Sequence, residues 1–273
     1  MGQPLQGRVF QGRGFHLDTA QSGVAEIVLD NASKHNAFDA GLIADLTICL
    51  DDLGADADIR TVILSAEGKS FSAGADIDWM KSAATRTAQD NLDDARALAR
   101  LMRRLNFLDK TTIALVQGAA FGGGAGLAAC CDIVIATSAA RFSFSEVKLG
   151  IIPAAISPYV IAAIGERQAR RYFQTAEIID AAEAQRIGLV HEIVDDDGLR
   201  ARADAIVASL DKGGPQAKAA AKRLVFDVVG RPVDDALTEM TAAAIAGIRT
   251  SDEAREGLAA FLERRVPGWT AQR

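Results

Sequence analysis

Histidine and cysteine are scarce in this chain, and that narrows its chemistry first. The three histidines, His16, His35 and His191, lie far apart and form no HExxH pattern. The three cysteines, Cys49, Cys130 and Cys131, offer no C-x-x-C pair. The usual sequence signatures of a structural or catalytic metal are therefore missing. An odd cysteine count, with two neighbours in an apolar stretch, predicts buried reduced thiols rather than a disulfide framework. No apolar run reaches the ~20 residues of a membrane span. The opening Met1-Gly2-Gln3-Pro4-Leu5-Gln6 lacks an apolar signal-peptide core, and Gln6 breaks the myristoylation pattern. Net charge is only −6 over 273 residues, with no basic, aromatic patch. That balance gives no pull towards nucleic acid or an anionic membrane. These absences predict a cytoplasmic chain without a membrane or nucleic-acid partner.

What the chain does have is concentrated in Thr111 to Asp132, TTIALVQGAAFGGGAGLAACCD. Ile113-Ala114-Leu115-Val116 predicts a buried strand. The run breaks at Gly118, reaches Gly122-Gly123-Gly124, and continues with small and apolar residues at helical density. Glycines let backbone approach a ligand, and the first N–H groups of a helix lack intrahelical partners. A second stretch upstream repeats the logic: strand Thr61 to Ser65, then Phe71-Ser72-Ala73-Gly74-Ala75-Asp76. Two such turns could aim two N–H groups at one oxygen. Close helix packing is an equally good account of glycines on spacing alone. A dinucleotide fingerprint is not: Gly124-Ala125-Gly126-Leu127-Ala128-Ala129 fits G-x-G-x-x-A, but the next strand ends in Thr137-Ser138-Ala139 with no acid to hold a ribose. Gly68-Lys69-Ser70 is no phosphate loop, because Ile63 stands where its first glycine belongs, and no G-x-S-x-G frame exists.

Strands and helices alternate to about residue 195, which predicts an α/β fold with a mostly parallel sheet. Residues 1–14 are expected to form a frayed arm. Leu42, Ile43, Leu46, Ile48, Leu50 and Leu53 predict one apolar helix face. Ala88 to Phe107 predicts a long surface helix, and Ser157 to Ile164 a short one stopping at Gly165. From 198 onwards four helical segments follow with little strand signal. The expected organisation is a core domain over 1–195 and a helical region over 196–273 that packs on the core or on neighbouring subunits.

Acid–base candidates near the glycine turns are Asp76, Glu146, Lys148 and Tyr159. Apolar neighbours of Glu146, Phe142, Phe144 and Val147, would raise its pKa by desolvation towards the range useful in catalysis. A surface pairing with Lys148 or Arg141 is the alternative, and locally the more economical one. Asp76, directly after Gly74-Ala75, is expected to cap the following helix. Two N–H groups on one oxygen beside a buried Glu would suit stabilisation of an enolate-like oxyanion with proton transfer.

Phe71-Ser72-Ala73-Gly74-Ala75-Asp76-Ile77, the Gly122-Gly123-Gly124 turn, Ala136 to Pro153 and the ending Phe261-Leu262-Glu263-Arg264-Arg265-Val266-Pro267 resemble the crotonase (enoyl-CoA hydratase/isomerase) superfamily over nearly the whole chain. The resemblance implies a spiral of ββα units with a helical C-terminal trimerisation region, assembled as a homotrimer or a dimer of trimers. It implies coenzyme A thioesters as substrates and no permanently bound cofactor. The thioester oxygen would take N–H bonds from Ala75 and Gly123. Coenzyme A would lie along Lys34 to Ala37, Ala73, Asp76 and Ile77, and Arg264 would reach a neighbour's coenzyme A. The catalytic residues would be Glu146, Ala75 and Gly123. Two-glutamate hydratases carry a first Glu where this chain has Gly126, and family isomerases keep only the Glu matching Glu146. Phe144-Ser145-Glu146-Val147-Lys148-Leu149-Gly150 and Ile156-Ser157-Pro158-Tyr159-Val160 further resemble bacterial methylglutaconyl-CoA and carboxygeranoyl-CoA hydratases of leucine and acyclic-terpene breakdown. That implies a branched, carboxylated substrate, with Gly126 leaving room for the branch and the substrate carboxylate, or a water it holds, compensating for the missing Glu. Lys148, Tyr159 and Arg171 are candidates for recognising it. A Δ3,Δ2-enoyl-CoA isomerase and a non-catalytic acyl-CoA-binding homologue are the alternative expectations.

Overall fold

The computed structural model describes residues 10–19 and 23–271. They divide into two compact units, one running to Leu108 and from Thr112 to Ala203, the other comprising 109–111 and Asp204 onwards.

The first unit is built on a seven-stranded sheet. Its strands are β1 (Phe10–Gly12), β2 (Phe15–Asp18), β3 (Val24–Leu29), β4 (Thr61–Ala66), β6 (Thr111–Val116), β8 (Ile133–Thr137) and β11 (Glu192–Val194), in spatial order β1-β2-β3-β4-β6-β8-β11. From β3 onwards the pairings are parallel where registered, as in Val24 opposite Thr61 and Ile113 opposite Ile133. Parallel strands are covered on both faces and so carry unbroken apolar runs. Val62-Ile63-Leu64 and Ile113 to Val116 do so, and all are buried. Part of the expected frayed arm is ordered: β1 pairs antiparallel with β2 across a turn in which Gly14 takes φ 75°. Residues 1–9 of that arm lie outside the described residues.

Three long strands each lead into a short one of a second sheet. These are β5 (Ser70–Ser72), β7 (Ala119–Phe121) and β9 (Arg141–Ser143), with β10 (Ile179–Asp180) at the edge, in order β10-β9-β7-β5. A helix then closes each repeat, so the fold is a succession of ββα units. The helices are α1 (Ala40–Ala55), α2 (Ile77–Ala83), α3 (Ala88–Asn106), α4 (Gly123–Cys130), α5 (Ser157–Thr175) and α6 (Ala181–Arg186), while α7 (Gly198–Leu210) begins in this unit and ends in the second. Helix α1 buries Leu42, Ile43, Leu46, Cys49, Leu50 and Leu53. Ile48 falls off that stripe and is 57% exposed, so Cys49 takes its place in the core. Burial pushes the Cys49 thiol up to about 12, which leaves it unreactive. All three cysteines are buried and none is in a disulfide. The expected stop at Gly165 is a break inside α5, where that residue takes φ 76° and ψ 158° and a second helical stretch follows.

The second unit is helical, with α8 (Pro215–Val228), α9 (Asp235–Arg249), α10 (Asp252–Leu262) and α11 (Gly268–Ala271). Glu253 on α10 accepts from the Gln216 and Ala217 N–H groups at 2.9 and 2.8 Å, which satisfies the start of α8. Glu256 holds Arg265 at 2.6 Å and the Gly268 N–H at 2.8 Å. Among the described residues no helix is long and apolar enough to cross a membrane.

Candidate active site

The two glycine turns pack directly on one another. Gly74 takes φ 92°, and a Cβ there would stand 3.0 Å from the Phe121 carbonyl oxygen. A Cβ on Gly124 would stand 2.7 Å from the Ser72 carbonyl oxygen, and one on Gly123 2.7 Å from the Phe38 ring. Close packing and a site are thus not alternatives here. The same glycines that let β5 and α4 touch also bring Ala75 and Gly123 to one cavity.

A third segment ties the turns down. Asn36, 1% exposed, donates from Nδ2 to the Ser70 carbonyl at 2.8 Å and the Glu67 carbonyl at 2.9 Å. The Ser72 hydroxyl donates to the Asn36 carbonyl at 2.8 Å, and the Ala73 N–H to the His35 carbonyl at 2.9 Å. Phe38 brackets Ala75: its N–H donates to the Gly74 carbonyl at 2.7 Å, and its carbonyl accepts from the Asp76 N–H at 2.8 Å. The Ala75 N–H lies between these bonds and has no protein acceptor among the described residues. The Gly123 N–H, first of α4, has none either. A substitution of Gly74 by Ala is expected to destabilise the protein by about 1–3 kcal/mol, because a side chain at that φ also meets the Phe121 carbonyl. It should cut kcat by about 10-fold or more if the Ala75 N–H is displaced. Urea denaturation and turnover on the same sample check both parts.

The cavity has a volume of about 370 Å³. Ala73, Gly74, Ala75, Gly122, Gly123 and Glu146 line it together with Phe38, Ser145 and residues of α2, α3 and the Leu149–Ile156 segment. Glu146 opens a short 3-10 turn, Glu146–Leu149. Its Oε1 sits 3.0 Å from where a Cβ on Gly122 would be, so the glycine makes room for the carboxyl. Its Oε2 is buried with no hydrogen-bond partner. Burial raises its pKa, opposed only by a backbone hydrogen bond. The economical pairing with Lys148 or Arg141 is not made. Arg141 instead donates to the Ala140 and Ser138 carbonyls at 2.8 and 3.2 Å, and Lys148 is exposed. Phe144 beneath the turn is fully buried, edge-on to Phe173 with ring centroids 5.1 Å apart.

Asp76 caps α2 as its position predicts, accepting from the Asp78 and Trp79 N–H groups at 2.9 and 3.1 Å. It also holds Lys34 Nζ at 2.8 Å. The Lys34 hydrogen bond, with the cap bonds, keeps the Asp76 carboxyl below the usual range, and Asp76 in turn raises Lys34. Lys34, Ala37, Asp76 and Ile77 do not line the cavity. Ile77 is 65% exposed beside Asp76. Arg264 belongs to the second unit, where it is exposed in the turn after α10 with φ 55°. Lys148, Tyr159 and Arg171 are also absent from the lining, and Arg171 is bonded to Glu177 at 2.6 Å.

Gly126 corrects an expectation. It leaves no room for a substrate branch, because Ile156, 2% exposed, occupies the space: a Cβ at 126 would meet its Cγ2 at 2.2 Å. Residues the sequence did not single out include Phe38, Trp79, Asn91 and Asp94, all in the cavity wall. They are helix and turn residues whose pattern is that of ordinary packing.

A family model described as enoyl-CoA hydratase/isomerase matches residues 19–272. A Thermus thermophilus protein assigned by name to the enoyl-CoA hydratases is 34% identical over 244 residues, 89% of this chain and 96% of that one. The crystal structure of an enoyl-CoA hydratase from Shewanella pealeana is 45% identical with a TM-score of 0.92, covering 95% of this chain and 97% of its own. That of an enoyl-CoA hydratase/isomerase from Marinobacter aquaeolei is 31% identical with a TM-score of 0.88, covering 94% and 99%. With its ββα repeats, its paired glycine turns and a match spanning nearly its whole length, this chain belongs to the enoyl-CoA hydratase/isomerase, or crotonase, family.

Proposed function

We propose that the protein is an enoyl-CoA hydratase, a hydro-lyase that adds water across the 2,3 double bond of an acyl-CoA thioester. The observation that carries the reading is the convergence of two unpartnered N–H groups, on Ala75 and Gly123, with the buried Glu146 carboxyl on one cavity. The thioester oxygen accepts from both N–H groups. Glu146 takes a proton from water as the water oxygen bonds to C3, and charge collects on the thioester oxygen as an enolate. Glu146 then returns the proton to C2, so one water is gained and no charge remains. Backbone donors are fixed before the reaction and need no reorganisation as charge develops.

Coenzyme A lies along Lys34, Ala37, Ala73, Asp76 and Ile77, outside the cavity apart from Ala73. Lys34 supplies positive charge and Ile77 an exposed apolar contact. Arg264 reaches the coenzyme A of a neighbouring subunit in a homotrimer or dimer of trimers. The second unit supports such assembly, since Phe261 and Leu262 are 81% and 79% exposed. The region from 196 onwards serves as the trimerisation part and 1–195 as the catalytic part. The likeness of Phe144 to Gly150 and of Ile156 to Val160 to methylglutaconyl-CoA hydratases supports an acyl group with a distal carboxylate, whose branch would not use the space beside Gly126 that Ile156 fills.

A second reading is favoured by one observation. Ile156 fills the space at Gly126 where a first glutamate would stand, and a single carboxyl suffices to move one proton from C2 to C4 in a Δ3,Δ2-isomerase. Turnover of 3-methylglutaconyl-CoA beside crotonyl-CoA, with product masses, separates the readings. A gain of one water on the carboxylated ester with crotonyl-CoA poor is the expected result. Equal hydration of both would remove the carboxylate preference. Double-bond migration without mass gain would replace the hydratase by the isomerase.

A further inference from the structure

Ala75 lines the cavity, and its N–H has no acceptor among the described residues. A backbone donor left in that state is costly. An unrestrained peptide would turn to find a partner, so the surroundings must hold this one. A peptide is planar and trans, and fixing its carbonyl fixes the N–H on the opposite edge. The carbonyl opposite the Ala75 N–H is that of Gly74, which the Phe38 N–H holds at 2.7 Å. The next peptide is held in turn, because the Asp76 N–H donates to the Phe38 carbonyl at 2.8 Å. Phe38 and Ala75 thus form an isolated parallel bridge. The aim of the donor depends on residues 34–38 staying against the turn.

The Asp76 carboxylate makes that tie. Its Oδ2 accepts from Lys34 Nζ at 2.8 Å, and its Oδ1 from the Asp78 and Trp79 N–H groups at 2.9 and 3.1 Å. One side chain therefore joins residues 34–38, the Ala75 turn and the start of α2. That helix carries Trp79, Met80 and Ala83 of the cavity wall. Asp76 is 8% exposed and both its oxygens are engaged within the protein, so it serves the site through its neighbours. We propose that Asp76 is a positioning residue that acts through Ala75. It clamps residues 34–38 onto the turn and so aims one of the two N–H donors at the thioester oxygen. The inference rests on Ala75 and Gly123 being the donors proposed above, and not on the acyl group or on the addition of water. Lys34 then has two uses, since the cation placed beside coenzyme A is also the one that holds Asp76.

The test compares wild type with D76A, D76N, K34M and D76N/K34M in three measurements. These are turnover of 3-methylglutaconyl-CoA and crotonyl-CoA, thermal melting, and the absorbance of bound 4-dimethylaminocinnamoyl-CoA. The band of that conjugated thioester moves to the red as its carbonyl is polarised, so it reads the two donors without any reaction. D76A is expected to lower kcat about 10- to 100-fold with a smaller change in KM, and to move the band back towards that of the free ester. D76N keeps a helix cap and should lose less. K34M and D76N remove the same tie, so the double variant should lose no more kcat than D76N. A D76A that raises KM alone, with the band unmoved, would make Asp76 a coenzyme A contact and overturn the proposal. So would lower melting with kcat and band unchanged, the pattern of a merely structural cap. A wild type that produces no red shift would overturn the donors and Asp76 with them. A wild type that shifts the band but gains no water would overturn the hydratase reading alone, and the D76A band then decides Asp76.

Discussion

Replacement of Glu146 by Gln is expected to lower kcat by about 10²–10⁴-fold, the usual worth of a positioned acid–base group. The same change should make the protein more stable at neutral pH. Gln keeps the shape and loses the ionisable group, so the two glycine turns stay as they are and KM should move less than kcat. The stability sign follows from burial. The folded pKa of Glu146 lies above that of the unfolded chain because burial disfavours its charged form. Between those two values the folded state binds more protons than the unfolded one, and stability falls as pH rises. Below the ordinary carboxyl range both states are protonated and the penalty vanishes. Wild type and E146Q should therefore differ little in acid, with the variant gaining as pH climbs through the raised pKa. Thermal melting at fixed protein concentration from pH 4 to 8, with turnover on the same samples, measures both. Full hydration by E146Q would remove Glu146 from the acid–base role. A melting difference that does not change with pH would remove the desolvation account.

That trade between stability and chemistry explains which parts of the molecule could be read from sequence. The long buried strands were legible because parallel sheet demands unbroken apolar runs, and Ile113 to Val116 has one. The helices of the second unit were legible from their spacing, as were the capping role of Asp76 and the twin glycine turns. The second sheet was not. Its strands, Ser70–Ser72, Ala119–Phe121 and Arg141–Ser143, are too short to show a period of two. They pair with one another, and each of these three follows closely on a long strand of the first sheet that fixes where it begins. The environment of Glu146 was also undecidable locally. Lys148 and Arg141 are near in sequence, and a surface ion pair is the cheaper outcome. The neighbouring elements decide otherwise, with Gly122 opening space for the carboxyl and Arg141 held by the Ser138 and Ala140 carbonyls. At Gly126 the reading of a missing side chain as free space failed because the filler, Ile156, lies 30 residues further along the chain.

Gly126 and Ile156 consequently form a pair whose coupling can be measured. Gly126→Ala alone forces a methyl to within 2.2 Å of Ile156 Cγ2 and 2.9 Å of its Cβ. Overpacking of that kind costs about 1–3 kcal/mol. Ile156→Ala alone leaves a cavity and costs about 2–5 kcal/mol. In the double variant the new methyl enters the vacated space, so the combined cost should fall short of the two single costs together by about 1 kcal/mol or more. Additive costs, read from urea unfolding at one protein concentration, would mean that the two residues do not touch in solution. The functional arm is larger. Ile156 lines the cavity and Gly126 does not, so Ile156 separates position 126 from the substrate. Removing that barrier and adding a carboxyl, in G126E/I156A, should give Glu146 a second group with which to place water. Hydration of crotonyl-CoA is then expected to rise by about 10-fold or more over I156A, within the range of one general acid–base group. A stable double variant that hydrates no better than I156A would show that a carboxyl at 126 cannot reach the water.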